Sequence, residues 1–425
     1  MDSRHVINLA VAFLALCVVA LAGSKAWEAG EQLTVARDIA LMNTMADRLI
    51  TMTNAAALER GHTAAALGAR SLPAAAALEN IHDLRARMDA GWQEAFALAR
   101  QVGATLSVNS RFQEVLDEVT AARRALDQAR QRVDRSLRQT PGSISGEDWI
   151  RISGQFIQST ARLRETAFAS TTAAHDIAQH NLLVKHRAWV LSEQAGLERA
   201  IIALQISSRQ PLSRAQQSQL QSIRGVLLHV SGMMSNLRNL TDMDPRILEA
   251  LAAMEREYFQ NFEKLRASVH AGNASGHFPL STGQWLAAST AAIDSILAVV
   301  AASSEVIQEK AAAAVRNNQQ QMQMQILLAL LAFFAAVVCL LLARRTAAAD
   351  FHGLKPLEDF DWSFNPSIHK KEIFDLATCN FIREGRDVLF LGPPGVGKTA
   401  LAQALGYEAI KANFQVLYRS IFDLV

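Results

Sequence analysis

Cysteine is nearly missing from this chain of 425 residues, with three in total. Cys17 and Cys339 lie in apolar runs and Cys379 near the C-terminal end, so neither a disulfide framework nor a cysteine-based metal site can be built. Proline and glycine are sparse as well, at nine and 21, which excludes a many-turned β fold. An excess of one charge is also missing. Lysine and arginine total 42 against 40 acids, a net +2, so composition points to neither a nucleic-acid patch nor an acidic tail. What is present is apolar residue, half of the chain, and much of it is alanine, the strongest helix former. The length suggests two or three domains, and the pattern predicts long helices.

Two runs are apolar enough to cross a membrane. Residues 6–23 are apolar except for Asn8, and Ile326 to Ala343 carries no charge before Arg344 and Arg345. Each is near the lower length limit for a hydrocarbon core. A cleaved signal peptide is the alternative for the first run. Arg344 and Arg345 place the C-terminal side of the second run in the cytoplasm. Arg4 does the same for the N-terminus, leaving 24–325 outside. The expectation is a two-pass protein of the bacterial inner membrane, with 24–325 periplasmic, 1–5 and the C-terminus cytoplasmic, and spans at 6–23 and 326–343.

The external segment reads as helices broken near 71–73, 102–103, 140–146, 210–211, 242–245 and 271–283. Asp244 before Pro245 is a helix N-cap with proline at the first helical position, and Ser213 is a second cap. Met42, Met45, Leu49, Met52 and Ala56 follow the three-four spacing of a bundle seam, which then meets Glu59. Val184, Ala188, Leu191 and Ala195 do the same and meet Glu198. This is a repeat with an offset of 139 residues. It aligns Glu59 and Arg60 with Glu198 and Arg199, and it survives the next turn, aligning Arg85 with Arg224. Two related helical halves are predicted, each with an acid–arginine pair on a core-facing stripe.

Two readings of those pairs stay open. Interhelical Arg–Glu pairs could fix bundle register, since a buried charge needs a partner. Alternatively, arginines from both halves converge on a small planar oxyanion that matches their fork of donors, while Glu59 and Glu198 hold the forks in place. Leu58-Glu59-Arg60-Gly61-His62-Thr63 and Leu197-Glu198-Arg199 resemble the corresponding helices of nitrate- and nitrite-sensing domains, over residues 30–310. That resemblance implies anion binding by bundle arginines, with Arg60 and Arg199 first and Arg224 and Arg85 behind them, and helix shifts on binding. Ala200-Ile201 stand where a second glycine is expected, which leaves the anion's identity open. No cofactor is expected for this segment.

After a junction at 344–354 the character changes. Asp387-Val-Leu-Phe-Leu391 reads as a strand, and Gly392, Pro393, Pro394, Gly395, Val396, Gly397, Lys398 and Thr399 fit G-x-x-x-x-G-K-[ST] fully, followed by Ala400 in a helix reaching about Lys411. Such a loop turns backbone N–H groups toward phosphates, with Lys398 reaching the β and γ phosphates and Thr399 holding Mg²⁺. Leu357 to Pro366, the loop itself and Val416 to Leu424 are similar to the helper ATPase of IS21-type insertion sequences. That resemblance implies ATP and Mg²⁺ as ligands and, for such proteins, assembly on DNA with transposase recruitment. One further strand, Phe414 to Tyr418, follows, and no acidic strand end to organise Mg²⁺ and water. Weak ATP binding without hydrolysis is therefore the expectation for 355–425.

The predicted architecture is mainly α: a membrane-anchored bundle of two related helical halves, plus a truncated α/β P-loop fragment. The predicted function is a sensor for a small external anion, homodimeric through its bundle and in contact with lipid, without a working signalling output and without DNA or transposase contacts. A membrane-tethered ATP-binding protein of transposition-helper type and a purely structural or dimerising bundle are the alternatives.

Overall fold

The computed structural model describes residues 3–105, 110–138, 142–169, 175–237, 243–272, 276–348 and 356–419. The chain divides into two compact units, Glu31–Asn318 and a second formed by Met1–Gly30 with Gln319–Val425.

The first half of the repeat comprises α1 (Ser3–Gly68), α2 (Ala75–Thr105), α3 (Ser110–Arg138) and α4 (Gly146–Ala169). The second comprises α5 (His175–Ser208), α6 (Arg214–Leu237), then α7 (Pro245–Met254), a π-helical stretch (Glu255–Phe262) and α8 (Glu263–Ala271), and finally α9 (Thr282–Ala348). Their starts are fixed locally. Asp244 accepts from the Arg246 N–H with Pro245 in the first turn. Ser213 caps α6 in a reciprocal box with Gln216; both caps follow the sequence reading. Ser281 and Gln284 form the same box at α9, and Ser145 caps α4 through the Asp148 N–H. Each such cap satisfies helix-start donors that have no partner within the helix.

The sequence reading placed no break between 146 and 210, whereas α4 ends at Ala169 and α5 begins at His175. No glycine or proline marks that junction, and residues 170–174 lie outside the described residues.

One continuous apolar core runs through Glu31–Asn318, from Ile39 to Ala311. It includes Met42, Met45, Leu49, Met52 and Ala56 on α1, and Val184, Ala188, Leu191 and Ala195 on α5, the two predicted seams. Helices α1 and α5 also meet through polar bonds: Lys185 Nζ donates to Asn43 at 2.8 Å, and Ser207 Oγ donates to the Ala65 carbonyl at 2.6 Å.

In the second unit, the outer stretches of α1 and α9 expose large apolar side chains, among them Phe13, Leu14, Leu16, Leu327, Leu331 and Phe334. Both helices are long and apolar enough to cross a membrane. Residues 356–419 build a small core of Leu357, Ile373, Leu401, Ala404 and Leu405 from α10 (Lys370–Ala377), α12 (Lys398–Lys411) and the segment before them, while the short α11 (Asn380–Arg383) buries no residue. The predicted strands at Asp387–Leu391 and Phe414–Tyr418 are not formed; among the described residues there is no strand. A strand is held by a ladder of backbone bonds to a neighbour, and here Leu389 and Leu391 stand 79% and 84% exposed.

Candidate functional site

Each half builds the same ionic clamp. Glu59, 1% exposed, accepts from Arg85 Nε at 2.8 Å and from Arg130 Nε and Nη2 at 3.0 and 2.6 Å. Glu198, also 1% exposed, accepts from Arg266 Nε at 2.8 Å and pairs with His270 Nε2 at 2.7 Å. Arg130 and Arg266 are equivalent at an offset of 136 residues, as are Trp149 and Trp285. The 139-residue offset of the first two helices of each half has thus lost three residues before the third. Burial alone would raise the Glu198 carboxyl, but bonds from His270 and Arg266 outweigh it and hold the group below its ordinary range.

These clamps correct the expectation that Glu59 and Glu198 orient Arg60 and Arg199. Consecutive residues on a helix point about 100° apart, so each glutamate faces the outer helices of its own half. Arg85 and Arg224 do not join the arginine pair either. Arg85 bonds Glu59 and, at 2.7 Å, Asp134, and Arg224 makes a two-point contact with Glu263 at 2.8 and 3.0 Å. The register reading therefore describes these four residues well.

Arg60 and Arg199 do converge. Trp149 Nε1 donates to the Arg60 carbonyl at 3.1 Å, and Trp285 Nε1 donates to the Arg199 carbonyl at 3.0 Å. Each tryptophan locks its helix against α1 or α5 so that the arginine points inward. A Cβ placed on Gly196 would stand 3.2 Å from Arg60 Nη2 and 3.8 Å from Arg199 Nη2. Glycine at that position is what gives the Arg60 guanidinium room, while the contact to Arg199 would be an ordinary one. The two arginines are 0% and 2% exposed.

Their partners differ. Arg60 makes a fork with Glu193, at 2.6 and 3.2 Å. Arg199 donates to the Thr290 hydroxyl at 2.9 Å, and among the described residues no carboxylate lies within ion-pair distance of it. Burial, reinforced by the neighbouring Arg60 charge, pushes its guanidinium down to about 10. The Nε atoms of both arginines are buried without a hydrogen-bond partner. A cavity of about 20 Å³ adjoins, lined by Ile50, Thr53, Asn54, Trp189, Ser192, Glu193 and Arg199 among others. Its volume holds roughly one water.

Two repeat-related grooves approach the pair. One, of about 910 Å³ between α1, α2 and α9, is lined by His62, Thr290 and Asp294; the other, of about 400 Å³, is lined by Gly154, the counterpart of Thr290. Burial lowers the His62 imidazole, with the Arg199 charge adding, and burial raises the Asp294 carboxyl against the pull of Arg199. No group of three or more His, Cys, Asp or Glu able to hold a metal occurs among the described residues.

At the P-loop, Gly395 and Gly397 have φ of 82° and 92°, backbone that favours glycine. Gly397 begins α12. Lys398 Nζ donates to the carbonyls of Gly392 and Pro393, at 2.8 and 2.7 Å, which holds the ammonium against the loop. This backbone and lysine fit a phosphate group.

Sequence reasoning found Arg60 and Arg199 through the repeat. It missed Arg130, Arg266, Glu193, Thr290, Gly196 and the two tryptophans. Trp149 and Trp285 share a spacing that an offset of 136 would have exposed; the single offset of 139 hid it.

Comparison with known proteins gives two regions. Residues 51–315, more than half of the chain, match the family described as nitrate and nitrite sensing. Residues 305–425 match the family described as IstB-like ATP binding protein, a match that begins inside α9 rather than at Lys355. The ATP-binding protein of insertion sequence IS21 from Pseudomonas aeruginosa is 44% identical over 72 residues, 17% of this chain and 27% of that protein. Its counterpart in IS5376 of Geobacillus stearothermophilus is 41% identical over 71 residues, 17% of this chain and 28% of that protein. The chain thus spans about a quarter of the length of these relatives. Among solved structures, the NasR transcription antiterminator aligns with a TM-score of 0.53 at 14% identity, over 91% of this chain and 98% of that one, a likeness of fold.

Proposed function

Because the chain belongs to the nitrate and nitrite sensing family, we propose that its bundle binds a small planar oxyanion, nitrate or nitrite, between Arg60 and Arg199. The observation that carries this reading is Arg199: buried, beside a second arginine, and paired with one neutral hydroxyl. An uncompensated buried charge is costly, and an oxyanion would supply both the charge and acceptors for the idle donors. The groove at Thr290 offers a route inward. Titration calorimetry on the full chain in detergent, with nitrate and nitrite, tests it. Arg199→Ala should abolish the heat of binding while the protein still melts cooperatively. Binding that survives this variant would move the site elsewhere, and Arg85 and Arg224 would be next.

The membrane placement supported by the exposed apolar stretches is two-pass, with 24–325 on the periplasmic side of the inner membrane and Arg344 and Arg345 inside. Reporter fusions after Gly272 and after Ala348 should report opposite sides. In the same reading the bundle pairs as a homodimer, and the unbroken α9 (Thr282–Ala348) carries the bound state toward the second span.

The P-loop supports ATP binding with Mg²⁺ at Thr399, abolished by Lys398→Ala. A membrane-tethered ATP-binding protein of transposition-helper type is the second reading, favoured by the complete motif. Turnover of ATP by the full chain that is lost in Lys398→Ala would put this reading first.

A further inference from the structure

The cavity is built from repeat-related pairs. At the offset of 139, Ile50 corresponds to Trp189, Thr53 to Ser192 and Asn54 to Glu193, and all six line it. The arginines correspond too. One pair breaks the charge symmetry. Glu193 carries the carboxylate that occupies the fork of Arg60, and its counterpart, which lines the same cavity as Arg199, is the neutral Asn54. Two arginines and one glutamate leave one positive charge that no carboxylate among the described residues meets at ion-pair distance; Asp294 reaches Arg199 from the groove only at longer range.

From this we infer that Glu193 and Asn54 together set the valence of the anion the site accepts. The inference rests on the oxyanion reading above. Glu193 acts as a resident ligand for one arginine, and Asn54, by being uncharged, keeps the other available. A monovalent oxyanion brings the buried site to neutrality. A dianion such as sulfate would leave one negative charge buried and unpaired, an arrangement that is strongly disfavoured in a low-dielectric interior. The carboxylate of Glu193 also shows what geometry the site accepts, two oxygens in one plane on the fork of Arg60 at 2.6 and 3.2 Å.

The experiment compares nitrate and sulfate affinity by calorimetry on the full chain in detergent, in the wild type and three variants. The wild type should prefer nitrate. Asn54→Glu supplies a second resident carboxylate and should weaken nitrate by about a hundredfold, the scale set by pairing one buried charge. Glu193→Gln leaves two unpaired arginines and should shift the nitrate-to-sulfate preference at least about tenfold toward sulfate. The double variant Asn54→Glu/Glu193→Gln moves the carboxylate to the other arginine, keeps the net charge, and should recover nitrate binding and preference. That recovery is a result that mere disturbance of packing would not give, and it remains readable if Glu193→Gln alone fails to fold. Wild type that binds neither anion removes the oxyanion reading itself. Wild type that binds nitrate while Glu193→Gln keeps the same preference, or the double variant fails to recover, overturns the valence assignment and leaves the oxyanion reading standing.

Discussion

The two helical halves share a frame and differ at its centre. Glu59 and Glu198 anchor Arg130 and Arg266, and Trp149 and Trp285 bind the carbonyls of Arg60 and Arg199. Around the cavity the correspondence fails: Asn54 against Glu193, and Gly154 against Thr290. The clamps, the tryptophan bonds and the two central arginines are repeated, and the residues that surround those arginines are not. A frame needs the same contacts twice, whereas one small ligand lying across the repeat axis needs only one set of charges.

The most severe way to break the frame is at the clamps. Glu59→Ala leaves Arg130 with only the half-exposed Asp89 and Asp127 and removes a partner of Arg85, at a cost of about 3–5 kcal/mol for a broken buried pair. Glu198→Ala leaves Arg266 with Glu263 at 3.4 Å and should cost somewhat less, because the second partner of Glu198, His270, is a quarter exposed. Chemical denaturation reads both, and equal losses would mean the two clamps carry the same load despite their different third members.

The tryptophan bonds come next. Trp149→Phe and Trp285→Phe each keep the ring and remove the donor to a buried arginine carbonyl, which should cost about 1–3 kcal/mol. The two values should agree closely, since both rings are at most 1% exposed. A large difference in melting between them would show that the halves are not energetically equivalent at their shared contacts.

A third difference is electrostatic. Where α1 carries Ala46, α5 carries Lys185, 3% exposed and bonded to Asn43 and Asp47. Burial, with the Arg164 charge adding, outweighs Asp47 and pushes its ammonium down to about 8 from 10.5. Between these values the unfolded chain holds the proton and the folded chain releases it. Stability therefore rises with pH through this window, by roughly 3 kcal/mol, and the cost of the buried charge is fully present below pH 8. Lys185→Met should flatten that rise in denaturation curves at pH 7.5 to 10.5. An unchanged slope would assign it to another group.

The helical class, the two seams, the repeat and both central arginines were legible, because periodicity and self-similarity survive in a single sequence. Glu193 was not. It lies a turn and a half before Arg199 on α5, and its partner Arg60 is 133 residues away, a separation no local pattern reports. Glu59 was found but given to the wrong arginine, since adjacency in sequence is not adjacency on a helix surface. The P-loop was legible from its glycines, while the strand expected before it was not formed among the described residues, because a strand depends on a neighbour that the local sequence does not specify.

The smallest effect is the most exact probe of the repeat. Ser213 and Gln216 form a reciprocal cap at α6, and their counterparts at the start of α2 are Ala74 and Ala77. The Ala74 carbonyl accepts from the N–H groups of Ala77 and Leu78, so its backbone already sits as a cap residue does while its side chain offers no acceptor. Ser213→Ala should cost about 1 kcal/mol, and Ala74→Ser with Ala77→Gln should stabilise by about 0.5–1 kcal/mol. Both positions border the grooves where α2 and α6 begin but do not line the small cavity beside Arg199, so equilibrium nitrate affinity should stay constant while the melting temperature moves in opposite directions. If the engineered cap gives no gain, the start of α2 is held by packing rather than by its end groups, and the likeness of the halves stops short of their helix starts.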